Sequence, residues 1–354
     1  MKMLVQKGLN FLYRFRSEQP GPVQRVLLLF PSGAVGDTVI ETFFIHEIKK
    51  LYPQAQLEVA MLAPYALLLK DNPDVSRIYK MPVFPLKKLI WLTWKVFFFR
   101  TRHYDLLLDL PHNGYAPFRQ LWLYFIRAAK TLSCNAIGYD FITYPLSWTE
   151  GVPRHITQEV YVKALKLLGA AGPFDVKYYL SLPQTAVEVA KKFLADTYPA
   201  SSKILLLNPE GSQQPRTLTV QRTRELAQLL VQQTIYKVVV LSHKQTYTAL
   251  PQRVHVFRSA DLLETAALVS LVDYVVTVDT GILHIADAFN KPMTALFSEA
   301  NRDDSPRPYV EYVWGSKNPQ TRCFKARYSV NDIKPAAITS ILKDREETCL
   351  PAMR

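Results

Sequence analysis

One unit recurs along this sequence and limits what the chain can become. A short unbroken apolar run ends in a polar or glycine-bearing turn and hands over to a longer stretch of helical periodicity. Val26–Phe30 (VLLLF) runs into Pro31-Ser32-Gly33, a helical pattern follows from Asp37 to Leu51, and Gln56–Ala60 reads as the next strand. Asp105–Leu110 (DLLLDL) and the amphipathic Phe118–Lys130 repeat the unit. The second half has the strands Lys203–Leu207, Lys237–Leu241, Tyr274–Val278 and Met293–Phe297, with helical stretches at Val220–Gln233, Asp261–Val269 and Gly281–Phe289. Runs this short and this apolar suit strands buried on both faces, the condition met in parallel sheets. Strand–helix alternation then predicts right-handed crossovers and two consecutive, doubly wound α/β domains.

The 354 residues suit two domains. The expected division is a basic amphipathic segment over 1–24, a first Rossmann-like domain over 25–170, a linker over 171–184 where Gly172, Pro173 and Pro183 cluster, a second Rossmann-like domain over 185–332, and a final helix over 333–354 that packs back across the junction. Ser298–Ser329 reads as a long functional loop region. The cysteines Cys134, Cys323 and Cys349 are far apart and lack Cys-x-x-Cys spacing, which excludes a zinc-ribbon pattern and implies a reducing cytosol.

A formal net charge of +13 calls for anionic partners, whether nucleic acid, an anionic lipid surface or phosphate-bearing substrates. No helix-turn-helix, zinc-finger or RNP-type signature accompanies the charge, so nucleic acid is not expected. Charges at Lys2, Lys7, Arg14 and Arg16 interrupt any signal-peptide core, and the start reads as a short interfacial or packing helix. Leu89–Phe99 (LIWLTWKVFFF) is shorter than the ~20 residues of a membrane span. It is expected either to lay Trp91, Trp94 and Phe98 into a lipid interface or to pack on the sheet.

Three loops follow strands and carry candidate chemistry. In Gly33-Ala34-Val35-Gly36-Asp37 the glycines allow close backbone approach, and Asp37 either caps the helix or faces a ligand. Neither a G-x-G-x-x-G fingerprint nor a P-loop is present. Asp279-Thr280-Gly281-Ile282-Leu283-His284 opens a helix, where free N–H groups and the helix dipole favour a diphosphate, although a capping aspartate and a packed histidine would use the same residue types. Asn208-Pro209-Glu210-Gly211-Ser212, with Arg216 beyond it, also suits phosphate. No Asp-x-Asp or histidine cluster occurs at these loops, so no metal is required.

In this order the motifs resemble the ADP-heptose-using heptosyltransferases of bacterial lipopolysaccharide assembly, glycosyltransferase family 9. The resemblance also takes in Tyr52-Pro53, Ile137-Gly138-Tyr139, His155 followed by Tyr161–Gly169, Glu225-Leu226-Ala227 and Lys291-Pro292, and it runs from about Val26 to Phe297. It implies a GT-B fold of two Rossmann-like domains facing across a cleft. It also implies Asp37 as general base, an acceptor-side loop of Ser32, Gly33 and Gly36, and donor binding by Asn208, Gly211, Ser212, Arg216, Asp279, Thr280, Gly281 and His284. The implied reaction is inverting, metal-independent transfer of a heptose from ADP-heptose, a substrate rather than a cofactor, to a lipopolysaccharide or lipooligosaccharide core acceptor. That acceptor is lipid-anchored and phosphorylated, which places the enzyme in the cytoplasm, peripheral to the anionic inner-membrane surface. Two family loops differ here, at Arg216-Thr217-Leu218-Thr219 and at Phe297-Ser298-Glu299-Ala300, and arginine serves phosphate by bidentate contact. The alternative is a non-catalytic nucleotide-sugar or anionic-glycan binding protein of the same fold.

Overall fold

Two six-stranded sheets, parallel at every pairing, organise the chain. The computed structural model describes residues 2–13, 21–30, 33–110, 117–136, 138–148, 153–243, 245–247, 250–301, 306–307 and 309–349. They form two units, one of residues 1–150 with 156–181, the other of 151–155 with 182–354.

The first unit holds α1 (Lys2–Tyr13), β1 (Arg25–Phe30), α2 (Val35–Leu51), β2 (Gln56–Leu62), β3 (Arg77–Met81), α3 (Pro85–Thr101), β4 (Leu106–Asp109), α4 (Pro117–Ile126), β5 (Lys130–Cys134), β6 (Tyr144–Leu146) and α5 (Lys163–Leu167). Its strand order is β3-β2-β1-β4-β5-β6. The winding therefore reverses beside β1, and the crevice outside the carboxyl ends of strands at such a reversal is where open α/β sheets bind ligands. β1 is buried from Val26 to Phe30 because its leucines meet helices on both faces of the sheet.

The second unit holds α6 (Gln184–Thr197), β7 (Ile204–Asn208), α7 (Val220–Gln233), β8 (Lys237–Leu241), β9 (Val254–Phe257), α8 (Leu262–Leu271), β10 (Tyr274–Val278), α9 (Gly281–Ala288), β11 (Met293–Ser298), α10 (Val310–Val313), β12 (Arg322–Ala326) and α11 (Pro335–Cys349). The order β12-β11-β10-β7-β8-β9 repeats the topology of the first sheet, with the reversal between β7 and β10. The final helix α11 packs on α7 through a core that includes Ile338, Leu342, Leu226 and Leu230.

Structure and sequence expectation differ at several places, β3, β5, β6, β9 and α6 having no counterpart in the sequence reading. Ser298–Ser329, read as loop, contains α10 and β12; β12 is an edge strand whose RCFKA exposes most of its length and so lacks a buried-strand signature. The expected helix over Phe118–Lys130 ends at Ile126, because Arg127 turns left-handed at φ 64° and Lys130 begins β5. The helix through Leu89–Phe99 forms, but Trp91 and Phe98 pack against the core and only Trp94 of the expected trio points outward, 76% exposed.

Candidate active-site residues

The β1-to-α2 turn places Asp37 in the first turn of α2, where its Oδ2 accepts from the Ala34 N–H at 3.3 Å. Burial pushes its carboxyl up to about 6, with the Ala34 hydrogen bond pulling the other way. Gly33 is there for space: a Cβ would come within 3.1 Å of the Tyr65 ring. Gly36 is buried at the start of α2. Ser32 lies outside the described residues.

One turn further along α2 lies a group that motif reading passed over. Glu41 is 1% exposed, and neither carboxylate oxygen has a hydrogen-bond partner among the described residues. Burial holds its carboxyl well above the usual range and the Asp37 charge adds to this, both favouring the protonated form. The Tyr161 phenol is buried in the field of both carboxyls, and burial is again the largest cause of its raised value. Alternation and capping rules are blind to such a residue, since a glutamate on the inner face of a helix looks in sequence like one on its outer face.

In the second unit the carboxyl ends of β7 and β10 lie side by side. Asn208 closes β7 and donates from Nδ2 to Thr277 Oγ1 at 2.9 Å and to Thr280 Oγ1 at 3.0 Å. Thr280 in turn caps α9, its hydroxyl accepting from the Ile282 N–H at 3.2 Å. The first N–H groups of α9, from Gly281, are thereby fixed in direction. Gly211 needs its missing side chain, since a Cβ would lie 2.2 Å from the Arg216 carbonyl oxygen. The turn is tied by Thr217, whose hydroxyl accepts from the Gly211 N–H at 3.0 Å and donates to the Gln213 carbonyl at 2.9 Å. A threonine at 217 is thus a structural element of the turn that aims Arg216, while Ser212 is exposed beside it. Glu210 reaches the other way and accepts from the His243 and Gln245 N–H groups at 3.1 and 3.0 Å, holding the chain after β8.

Asp279 joins these parts electrostatically. Its Oδ2 faces Arg216 Nη1 at 3.4 Å and Arg307 Nη2 at 2.8 Å. Two guanidiniums on one carboxylate leave a net positive charge with unused donors. Among the described residues Arg216 Nε, although buried, has no acceptor. Burial is the main cause lowering the Arg216 guanidinium from its ordinary value, with Arg307 acting the same way and Asp279 opposing. Arg307 escaped the sequence reading; its only signal was an arginine in the Pro- and Arg-rich stretch after β11. It is steered there by its own N–H, which donates to the Glu299 carbonyl at 2.6 Å, and by Nη1 on the Ser298 carbonyl at 3.3 Å. His284 is 4% exposed, and burial lowers its imidazole to about 4, so it is neutral at pH 7. The structure therefore brings together Asn208, Gly211, Arg216, Asp279, Thr280, Gly281 and the unforeseen Arg307 at the ends of two neighbouring strands. Among the described residues no three His, Cys, Asp or Glu side chains gather as a metal site.

Residues 100–334 match the family model of glycosyltransferase family 9 (heptosyltransferase). A provisionally assigned lipopolysaccharide heptosyltransferase 4 of Escherichia coli (strain K12) is 24% identical over 351 residues, covering 95% of this chain and 92% of that protein. The crystal structure of a glycosyltransferase of family 9 from Veillonella parvula superposes with a TM-score of 0.75 at 14% identity over 92% of this chain and 99% of that one. Escherichia coli heptosyltransferase WaaC with ADP-2-deoxy-2-fluoro heptose superposes with a TM-score of 0.67 at 14% identity, over 91% and 100% of the two chains. At such identities the structural likenesses establish the GT-B fold, two Rossmann-like domains, and the family model establishes the rest: this chain belongs to glycosyltransferase family 9, the heptosyltransferases.

Proposed function

We propose that the protein transfers a heptose from ADP-heptose to the core of a lipopolysaccharide or lipooligosaccharide, inverting the anomeric centre without a metal ion. The observation that carries this reading is the paired guanidinium site on Asp279 beside the amino end of α9, an arrangement matched to a leaving diphosphate. Asp37 takes the proton of an acceptor hydroxyl as that oxygen attacks the anomeric carbon, while the bond from that carbon to the diphosphate oxygen breaks and ADP departs. A carboxyl near 6 is ionised at neutral pH yet basic enough to accept a proton. Arg216, Arg307 and the Thr280–Gly281 helix start take up the charge that develops on the diphosphate, which is the task a divalent cation performs elsewhere. His284, neutral and buried beneath this helix start, contributes packing and a hydrogen-bonding ring. Gly33 and Gly36 serve the acceptor side, and Ser212 the donor side. The acceptor is lipid-anchored and phosphorylated, and the enzyme works in the cytoplasm at the anionic face of the inner membrane.

The test incubates the protein with ADP-heptose and a heptose-deficient lipopolysaccharide and follows the acceptor by mass spectrometry. A gain of one heptose with release of ADP is the expected result. Saturable ADP-heptose binding with no acceptor gain from any truncated core would instead favour a binding protein.

A further inference from the structure

The outer faces of α1, α3 and α4 are apolar where a surface helix is ordinarily polar. All three pack into one core, with Leu9 of α1, Val96 and Phe99 of α3 and Leu123 and Ile126 of α4 on the same side of the sheet as Leu27, Leu29 and Leu107. α4 touches both of the others. α1 is held in register by Asn10, whose Nδ2 donates to the Gly138 carbonyl at 2.9 Å and whose Oδ1 accepts from the Asp140 N–H at 3.0 Å. With the inward faces so engaged, the outward stripe of α3 is Leu86, Ile90, Trp94 and Phe97, between 51% and 76% exposed and spaced by three or four residues. Phe84 continues the stripe ahead of the helix at 68%. The outward stripe of α1 is Met3, Leu4, Phe11 and Leu12, and α4 adds Phe125. Charge is as one-sided as hydropathy: the three helices contain seven Lys or Arg and no Asp or Glu. Lys7, Lys87 and Arg100 lie exposed beside the apolar stripes, and Lys87 Nζ covers the Phe84 ring at 5.5 Å.

We infer that this three-helix face is a docking surface for an anionic lipid bilayer. Exposed tryptophan and phenylalanine on helices that carry lysine and arginine but no acid is the composition that seats amphipathic helices at the headgroup boundary, and the exposed Asp140 at the edge of α1 is paired with Asn10. No helix among the described residues is long and apolar enough to cross a membrane, so the face lies on the lipid rather than through it. The inference rests on the proposed function only for its purpose, bringing the enzyme to a lipid-anchored acceptor. A second copy would have to meet these same basic, acid-free helices across a two-fold axis, which like charge disfavours.

Flotation with vesicles containing one-third phosphatidylglycerol tests it on the full chain. The double variant Trp94→Ser/Phe97→Ser, with both positions on the surface, should lose about tenfold or more in vesicle binding, as should Leu4→Ser/Phe11→Ser. Tyr312→Ser, an exposed aromatic of the second unit, should change nothing. Vesicles of phosphatidylcholine alone should bind weakly. Heptose transfer to a water-soluble core oligosaccharide is measured in parallel and should persist in all variants, so that failure of the transferase reading and failure of the docking surface are told apart. Equal binding by wild type and both double variants would overturn the inference, as would no wild-type binding. Concentration-dependent dimers abolished by the same substitutions, without vesicle binding, would overturn it in favour of self-association.

Discussion

At the scale of single residues, Asp37 carries two opposed demands. Its proposed role as base requires it to ionise, yet burial raises its carboxyl from the 3.8 of a free aspartate to about 6. Transfer, followed as kcat/KM, should rise about tenfold per pH unit below about 6 and level off above it. Asp37→Asn should reduce kcat by a factor of about 1000 with donor binding intact. The linkage sign follows from the raised value: the folded state is favoured while the group is protonated, and that advantage is lost as pH rises through about 6. Asp37→Asn should therefore melt higher than wild type at about pH 8 and no differently at about pH 4 in calorimetric scans. Burial raises the Glu41 carboxyl well above its ordinary value and so favours its protonated form; Glu41→Gln, which keeps that uncharged shape, should leave the midpoint of the pH–rate profile where it was. A midpoint displaced downward would reveal a charged Glu41. Arg307→Ala removes one of two guanidiniums on Asp279. Isothermal titration should find donor binding weakened about 10- to 100-fold, the value of one charge-assisted contact, and kcat should fall as well, because the same guanidinium is proposed to meet the charge developing on the diphosphate.

At the scale of elements, the 211–217 turn, proposed to meet the donor, aims a side chain through its backbone geometry. Gly211 lies so close to the Arg216 carbonyl that a Cβ at 2.2 Å forces the turn apart. Gly211→Ala should yield a folded protein whose donor KM rises about tenfold through displacement of Arg216, and restoration of KM in no second-site variant except one relaxing 211–217 would locate the effect there. Thr217 differs from the family's sequence at this turn, and its hydroxyl is committed to Gly211 and Gln213. The change repacks the turn rather than removing the cation. At the end of β7 itself, Asn208 ties the strand to the cap of α9, and Asp279 ties Arg216 to the residue before that cap.

At the scale of the whole molecule, a net charge of +13 should make capture of a phosphorylated acceptor depend on ionic strength. Raising salt from low to physiological should raise the acceptor KM severalfold with kcat nearly constant, and on the proposed mechanism, in which guanidiniums do the work of a metal ion, transfer should survive EDTA. Much of this architecture was legible from one repeated pattern. The central strands β1, β7, β8, β10 and β11 are apolar on both faces, and burial on both faces leaves the same signature whatever their neighbours are. The edge strands β3, β6, β9 and β12 were not legible, because one flank and part of one face meet water and their composition resembles loop. The aspartates at strand ends could be located from their positions before helices, since capping and ligand binding both use the free N–H groups there. What tertiary contact alone settled was direction and company. Trp94 faces outward while Trp91 faces the core, Glu41 is sealed beside Asp37, and Arg307 reaches Asp279 from far along the chain. Local sequence specifies the period of an element, but which side is inward, and which distant charge shares a site, depends on what the rest of the chain packs against it.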